Sequence, residues 1–431
     1  MSKPKICILI LVLLFSLAVI FACTKRVVVS DSLPPVVEIT NPTSGDTLTA
    51  DTLGTDTVFV TVSASDDKGV AGVQFYVDGD SAFTAFSAPF SFPWLILVYN
   101  DNTVHTVVAV AFDQAGNTAA DTISVTIRVP PGFYFISSAA TSGVIYYNLF
   151  VWGDYLAVAE QGNGVEIFDI SNPANPVFLS SYNIGSGSAN GLFVDTSANR
   201  MYVANGAEGL LVLDVSNPAV LLPDTSFVIG GGADIENVYV KGNYAYLAAT
   251  NSGMYIIDVS DIDSLVQRGQ HDLGGIAYDI KVLDTLAYIA YGDVGLEIVN
   301  IKIDSLPTFV GRYTPSGSAI VRRLDVVGNR AYLAMQNSGL EIVNIANPAF
   351  PTQLGNYNTF NSFFTGVDVV GDTAYLANRD DGVEIVDVTS PATPSSITFF
   401  NTEGQANNLV YRNSFIFVAD QSSLTLLRYV P

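Results

Sequence analysis

The sequence predicts an all-β chain in which a β-sandwich is followed by a seven-bladed β-propeller closed by an N-terminal strand in the last blade. Three observations predict it. Aromatic and β-branched residues come in short runs bounded by Gly, Asn, Asp and Pro. Beyond the first two dozen positions, no stretch of ten or more residues has helical periodicity. One short phrase recurs at intervals of forty-odd residues through the last three hundred positions.

A chain of 431 residues is too long for one small domain and predicts two or three. With 49% hydrophobic and 14% charged residues it can bury a core, which excludes a disordered chain. The formal net charge of −23 repels phosphate backbones and argues against a nucleic-acid partner. Solubility accounts for such a charge; cation binding is the sharper reading.

Lys3 and Lys5 precede an apolar run, Ile6 to Phe21, that matches a secretory signal and is short for a spanning helix. It ends Ile20-Phe21-Ala22-Cys23, which resembles the lipobox of bacterial lipoproteins. That resemblance implies a signal peptide over 1–22, lipidation of Cys23, and anchoring to the envelope by acyl chains. Thr24, where an Asp would retain the protein at the inner membrane, points to the outer membrane or cell surface. Alternatively, Cys23 merely ends an ordinary signal or an uncleaved anchor. The other cysteine, Cys7, lies inside the apolar run, so no internal disulfide is expected. Residues 23–33 read as a tether stiffened at its end by Pro34-Pro35.

Residues 34–129 carry strand-length runs at Val36–Thr40, Val58–Ala64, Val70–Val77, His105–Phe112 and Thr122–Ile127, the spacing of a sandwich. The phrases Pro35-Val36-Val37-Glu38-Ile39, Ala64-Ser65-Asp66-Asp67-Lys68-Gly69-Val70, Val73-Gln74-Phe75-Tyr76-Val77-Asp78-Gly79 and Ala109-Val110-Ala111-Phe112-Asp113-Gln114-Ala115-Gly116-Asn117 resemble a bacterial Ig-like domain. Asp66, Asp67 and Asp113 stand at strand ends. Acidic turns in related sandwiches can hold Ca²⁺, the one cofactor to be considered; otherwise these residues close tight turns. His105 has neither a second His nor a Cys nearby and reads as structural.

The recurring phrase is Gly, apolar, often Glu, apolar, apolar, Asp or Asn, apolar. Its copies begin at Gly164, Gly209, Gly253, Gly295, Gly339 and Gly382, with a degenerate seventh at Ser423, so the intervals are 45, 44, 42, 44, 43 and 41 residues. A second strand such as Ala331-Tyr332-Leu333-Ala334 precedes each copy, a first strand such as Val367-Asp368-Val369-Val370 comes earlier, and a fourth follows a Pro-containing turn. Four strands per repeat make a propeller blade. The phrase resembles the LVIVD repeat family, which implies a β-propeller over 133–431. The seventh copy ends the chain without a fourth strand, and Phe133-Tyr134-Phe135-Ile136-Ser137-Ser138 supplies one, covering an edge that would otherwise be open.

In such blades the loops between second and third strands share a face with the connections between blades. Glu160, Gln161, Asn190, Asn205, Glu208, Glu236, Asn237, Asn251, Asp279, Asp293, Gln336, Asn337, Asp380, Asp381, Asn407, Asn408, Asp420 and Gln421 fall there. Arg322, Arg323 and Arg379 fall there too, a basic island whose forks suit carboxylates; the competing reading is that they pair with Asp380, Asp381 or neighbours. The mid-strand Glu166, Glu297, Glu341 and Glu384, and the strand-ending Asp169, Asp214, Asp258 and Asp387, recur once per repeat and read as structural. No phosphate loop, His pair or nucleophilic Cys is present, so the chain reads as no enzyme. A carboxylate-pair glycosidase stays open, because such pairs meet only in the fold. The resulting expectation is a monomeric, envelope-anchored binding or adhesion lipoprotein whose loop face takes glycan or protein. A structural partner in an outer-membrane complex, or a carbohydrate-active enzyme using acidic loop residues, are the alternatives.

Overall fold

A computed structural model describes residues 31–50, 57–139, 145–317, 319–359, 362–421 and 423–431. The expected signal peptide over 1–22 and the expected lipidation site Cys23 lie outside these. No helix among the described residues is long and apolar enough to cross a membrane. The chain forms two compact units, one mainly from Val60–Phe92 and Thr106–Ile123, the other from Ser44–Phe59, Pro93–His105 and Ser124–Pro431.

Before residue 130 the strands form two sheets. One pairs Val36–Asn41, Thr57–Ser65 and Phe90–Leu95; the other orders Thr47–Thr49, Thr118–Arg128, Thr103–Asp113, Val70–Val77 and Asp80–Ala85. Residues of Val70–Val77 alternate in burial, and Phe75 is fully buried, as a strand with one covered face requires. Its ring lies 5.7 Å from Phe92 of the three-stranded sheet, so the sheets face each other through aromatics as in an Ig-like sandwich. Three strands lie outside the runs read from the sequence: Thr47–Thr49, Asp80–Ala85 and Phe90–Leu95. The first is too short to show a period, the second is mostly exposed, and the third alternates in burial but carries Pro93 on its exposed face.

The repeats form seven antiparallel four-stranded sheets. The first is Ile145–Trp152, Tyr155–Gln161, Gly164–Asp169 and Val177–Asn183. In the last, Ala406–Arg412, Phe415–Asp420 and Ser423–Val430 are completed by Gly132–Ala139. The expected seven-bladed closed ring is corrected: each sheet is hydrogen-bonded as its own unit, and no sheet is closed blade to blade into a ring. Each fourth strand pairs only with its own third strand, so the ladder stops there. Isolated bridges join successive sheets in series, from Gly206–Ile235 through Thr250–Ala277, Gly292–Val321 and Gln336–Phe363 to Arg379–Ala406. Among the described residues none of these bridges reaches the first sheet.

Apolar clusters fill the spaces between successive sheets. Tyr288, Leu296 and Ile298 of the fourth sheet pack on Val321, Leu324 and Leu333 of the fifth, for example. The Ala residues of the second strands, such as Ala331 and Ala334, are fully buried and let neighbouring sheets approach closely. Buried carboxylates tie sheet to sheet as well. Asp279 accepts the Leu324 amide at 2.9 Å, Asp325 the Val369 amide at 2.9 Å, and Asp368 the Tyr411 amide at 2.7 Å. Burial works against the Lys281 ammonium, yet Asp325 and Asp279 hold its pKa above the ordinary lysine range.

The recurring polar residues are structural, as their repetition suggests. Asp169, Asp214, Asp258 and Asp387 each accept the amide two residues on, closing the turn into the fourth strand. Glu166 accepts the Tyr146 hydroxyl at 2.9 Å, Glu341 that of Tyr313 at 2.7 Å, and Glu384 that of Tyr357. Glu297 binds His271 at 2.7 Å and Arg312 Nε at 3.1 Å, which absorbs the only His of the repeats. His105 is likewise spent, on the Thr103 hydroxyl at 2.7 Å.

Candidate functional site

Within the larger unit, side chains from six of the seven sheets converge on a cavity of about 250 Å³. One position of the repeat recurs in its wall: the residue just before the polar or Gly position near the start of the first strand. Tyr147, Glu236, Tyr278, Arg322, Thr365 and Asn407 hold it and all line the cavity. In the second sheet Asn190 holds it, is buried, and donates to the Ile235 carbonyl instead. Strand alternation would aim adjacent residues to opposite faces. At Tyr147, Arg322 and Asn407 a register shift breaks that alternation, so each is the extra residue of a β-bulge and is turned toward the cavity.

The next position along forms a buried polar layer under the wall. Asn408 donates to Asn148 Oδ1 at 2.8 Å, and Asn237 donates to Asp279. Where a neighbour's amide reaches across, Gly stands: a Cβ at Gly191 would collide with Asn237, and one at Gly366 with Asn408. Arg323 occupies this position in the fifth sheet and is 8% exposed, but it also lines the cavity. Its Nη1 lies 3.8 Å from Asp279 Oδ1, beyond hydrogen-bond reach, and has no hydrogen-bond partner.

The three arginines expected to form a basic island do come together. Arg322 donates to the Tyr147 hydroxyl at 3.0 Å and lies 4.2 Å over the Tyr278 ring. Arg323 sits 5.8 Å from the Tyr147 ring. Arg379 lies 5.0 Å over Phe363 and donates Nε to Gln405 Oε1 at 3.3 Å. These cation–π contacts hold the guanidinium planes in place. Among the described residues no ion pair joins these arginines to Asp380 or Asp381; Asp380 instead accepts from Gln405 Nε2 at 2.6 Å. Burial pushes the Glu236 carboxyl up, while Arg323 and Arg322 pull it down. Among the described residues Glu236 is the only carboxylate lining the cavity, and no carboxylate pair of the kind glycoside hydrolysis uses faces across it.

Asn251, Asp293, Asn337, Asp380 and Asp381 do not line the cavity; they are exposed residues at strand turns. Gln161, Gln336 and Gln421 do line it. Sequence reasoning missed the aromatic wall, Tyr147, Tyr278 and Phe363. Its signal was present: Tyr147 and Tyr278 share their repeat position with Arg322.

In the smaller unit, carboxylate oxygens of Asp31, Asp66 and Asp67 lie within 4.8 Å of one another, a group able to coordinate a divalent cation such as Ca²⁺. Asp113 is not in it. Its Oδ1 accepts the amides of Ala115, Gly116 and Asn117, and burial is outweighed by these bonds, which hold its carboxyl below the ordinary range. Asp66 also accepts the Lys68 and Gly69 amides, and Asp67 pairs with Lys68 at 2.8 Å.

These features define a class: a scaffold that joins an Ig-like domain to a propeller-like repeat region. The family described as bacterial Ig domain matches residues 35–129, and the LVIVD repeat matches six segments, 147–184, 186–222, 231–272, 274–315, 318–359 and 365–402. The six cover more than half of the chain, which therefore belongs to the LVIVD-repeat family. No curated protein matches it. Among solved structures it is similar to the WD40 β-propeller domain of Doa1, at TM-score 0.58 and 12% identity over 69% of this chain and 97% of that one. It is also similar to the Cps50 (Swd1) β-propeller domain from Myceliophteria thermophila, at 0.56 and 10% over 70% and 100%. The computationally designed Ika8 protein follows at 0.53 and 10% over 77% and 94%. Identities this low establish likeness of fold alone.

Proposed function

We propose that the chain is an envelope-anchored binding lipoprotein. Its signal occupies 1–22, Cys23 carries the lipid, residues 23–33 tether it, the Ig-like domain over 34–129 acts as a spacer, and the repeat region over 133–431 binds glycan or protein. One observation carries the binding part. Six sheets, otherwise built on a repeating pattern, aim unlike side chains at a single cavity, with three stacked arginines in its wall. A purely structural repeat needs no such convergence. The lipid anchor is supported by Ala22-Cys23 at the end of an apolar run.

The binding test uses the full chain in detergent against glycan arrays and defined envelope proteins, with and without Arg322→Gln and Arg379→Gln together. Retained binding by a ligand in the wild type and its loss in the double variant is the expected result; absence of any ligand, or indifference to the substitutions, overturns the reading. Location is tested separately by protease shaving of intact cells. Digestion of the repeat region while periplasmic controls survive is expected, and full protection until the outer membrane is opened would overturn surface display.

A further inference from the structure

We infer that the arginine-lined cavity takes a single uronic-acid residue of an acidic glycan, the arginines holding its carboxylate and neighbouring amides its hydroxyls. The inference rests on the binding reading above and names the class of ligand.

Charge is the first ground. Three guanidiniums and one carboxylate, Glu236, line the cavity of a chain whose net charge is −23. Behind the wall Asp279 offsets one of these charges, lying 3.8 Å from Arg323 while it accepts the Ile280 and Leu324 amides, and Asp380 accepts from Gln405, so the three guanidiniums still outnumber Glu236 and Asp279 by one. A net positive cavity in an acidic protein selects an anion, and Glu236 in the wall disfavours a second negative charge on it. A carboxylate is the monoanion that a planar Arg fork matches with two parallel bonds.

The buried Arg323 is the second ground. It is more than nine-tenths buried, yet its Nη1 has no hydrogen-bond partner. A buried donor left without an acceptor is costly, and its presence in a cavity wall points to an acceptor arriving from outside. Arg322 spends one N–H on Tyr147 and Arg379 one on Gln405, leaving other donors of each fork for a ligand. Stacking on Tyr278 and Phe363 fixes both planes beforehand, so little order is lost on binding.

Size and polarity complete the argument. About 250 Å³ is below the roughly 300–1,000 Å³ of drug-sized pockets, which suits one sugar ring. Gln161 and Gln336 line the cavity with amides that each donate and accept, as sugar hydroxyls do.

The experiment is calorimetric titration of the full chain in detergent with digalacturonate, its neutral counterpart galactobiose, galactose phosphate, and a peptide with a free C-terminal carboxylate. Digalacturonate is expected to bind at least tenfold more tightly than each of the others. Arg323→Gln is expected to weaken it at least tenfold, Arg379→Gln about as much, and Arg200→Gln, remote from the cavity, not at all. Arg379 is only half-buried, so its variant tests the idea even if Arg323→Gln misfolds. Equal binding of galactobiose, preference for the phosphate or the peptide, or digalacturonate binding unmoved in both cavity variants would overturn the inference. If a neutral glycan or a protein binds and the Arg379 variant abolishes it, the ligand class fails while the binding reading stands. If nothing binds at all, both fail.

Discussion

Glu160→Gln is expected to stabilise the chain at pH 8 and to flatten its stability between pH 5 and 8. Glu160 ends the strand Tyr155–Gln161, is 4% exposed, and has one carboxylate oxygen with no hydrogen-bond partner. Glu166 lies diagonally opposite on the next strand, since Glu160 pairs with Gly164 and Val158 with Glu166. Burial first, then the hydrogen bond and charge of Glu166, push the Glu160 carboxyl from 4.5 up to about 8. Between those values the folded chain keeps a proton that the unfolded chain has released. Stability from this group is therefore full below pH 4.5 and falls as pH rises, by at most ~1.4 kcal/mol per pH unit, until about 8. The whole interval corresponds to at most roughly 5 kcal/mol, of which about 2 kcal/mol is expected after side-chain relaxation and water entry. Gln keeps a donor for Glu166 and has no proton to lose. Urea unfolding of both proteins across this pH range reads the difference. It should be small at pH 5 and reach about 2 kcal/mol in favour of the variant at pH 8. A difference that stays constant with pH would refute the reasoning.

Gly339 opens a third strand at φ 83°, where a Cβ would collide with the Tyr357 carbonyl, so Gly339→Ala should cost ~2–3 kcal/mol by overpacking and strain, seen as a lower urea midpoint. Glu297→Ala leaves His271 and Arg312 without their shared acceptor and should cost ~3 kcal/mol in the same assay. Asp258 is held down to about 2 by Ser260 and then Arg268; its contribution is present above pH 3.8 and lost as pH falls through 2. Asp258→Asn should thus lower the urea midpoint at pH 6 and leave it close to wild type near pH 2.

Much of the fold was legible because the repeats impose the same demands seven times. The Gly at the start of the third strand recurs in six of the seven copies since the fourth strand's carbonyl comes too close for a Cβ, as at Gly253 beneath His271. The Asp ending that strand recurs because the next turn needs an acceptor, as Asp214 serves Ser216. How the sheets relate was not legible. A seven-residue phrase reports pairing inside a sheet, whereas Asp279 reaching Leu324, forty-five residues on, reports contact between sheets. The Ig-like sheets hid strands for a different reason: Phe90–Leu95 alternates in burial, but it carries Pro93, a residue without an amide that argues against a strand unless, as here, it lies on the exposed face of an edge.

The cavity was half legible, and the reason distinguishes site from scaffold. Loop position alone named Arg322, Arg323 and Arg379, but it also named Asn251, Asp293 and Asn337, which only close turns. The better signal is variation inside repetition. Around it the first strands keep an apolar position, Leu149, Val238, Ile280, Leu324, Val367 and Leu409, because each must fill the space against a neighbouring sheet. Two residues earlier the chain carries Tyr147, Glu236, Tyr278, Arg322, Thr365 and Asn407, a set with no common size, charge or polarity. Packing cannot require five different residue types at one structural position; a ligand with different groups at its edges can. The bulges at Tyr147, Arg322 and Asn407 strengthen the point, since an extra residue disrupts pairing at a cost and its return is a side chain aimed where the regular pleat would not send it. Deleting Arg322 should restore regular pairing with Arg330–Gln336, leaving the fifth sheet at least as stable by urea unfolding while ligand binding is lost. A deletion that instead unfolds the chain would mean the bulge serves the scaffold, and the argument from variation would fall with it.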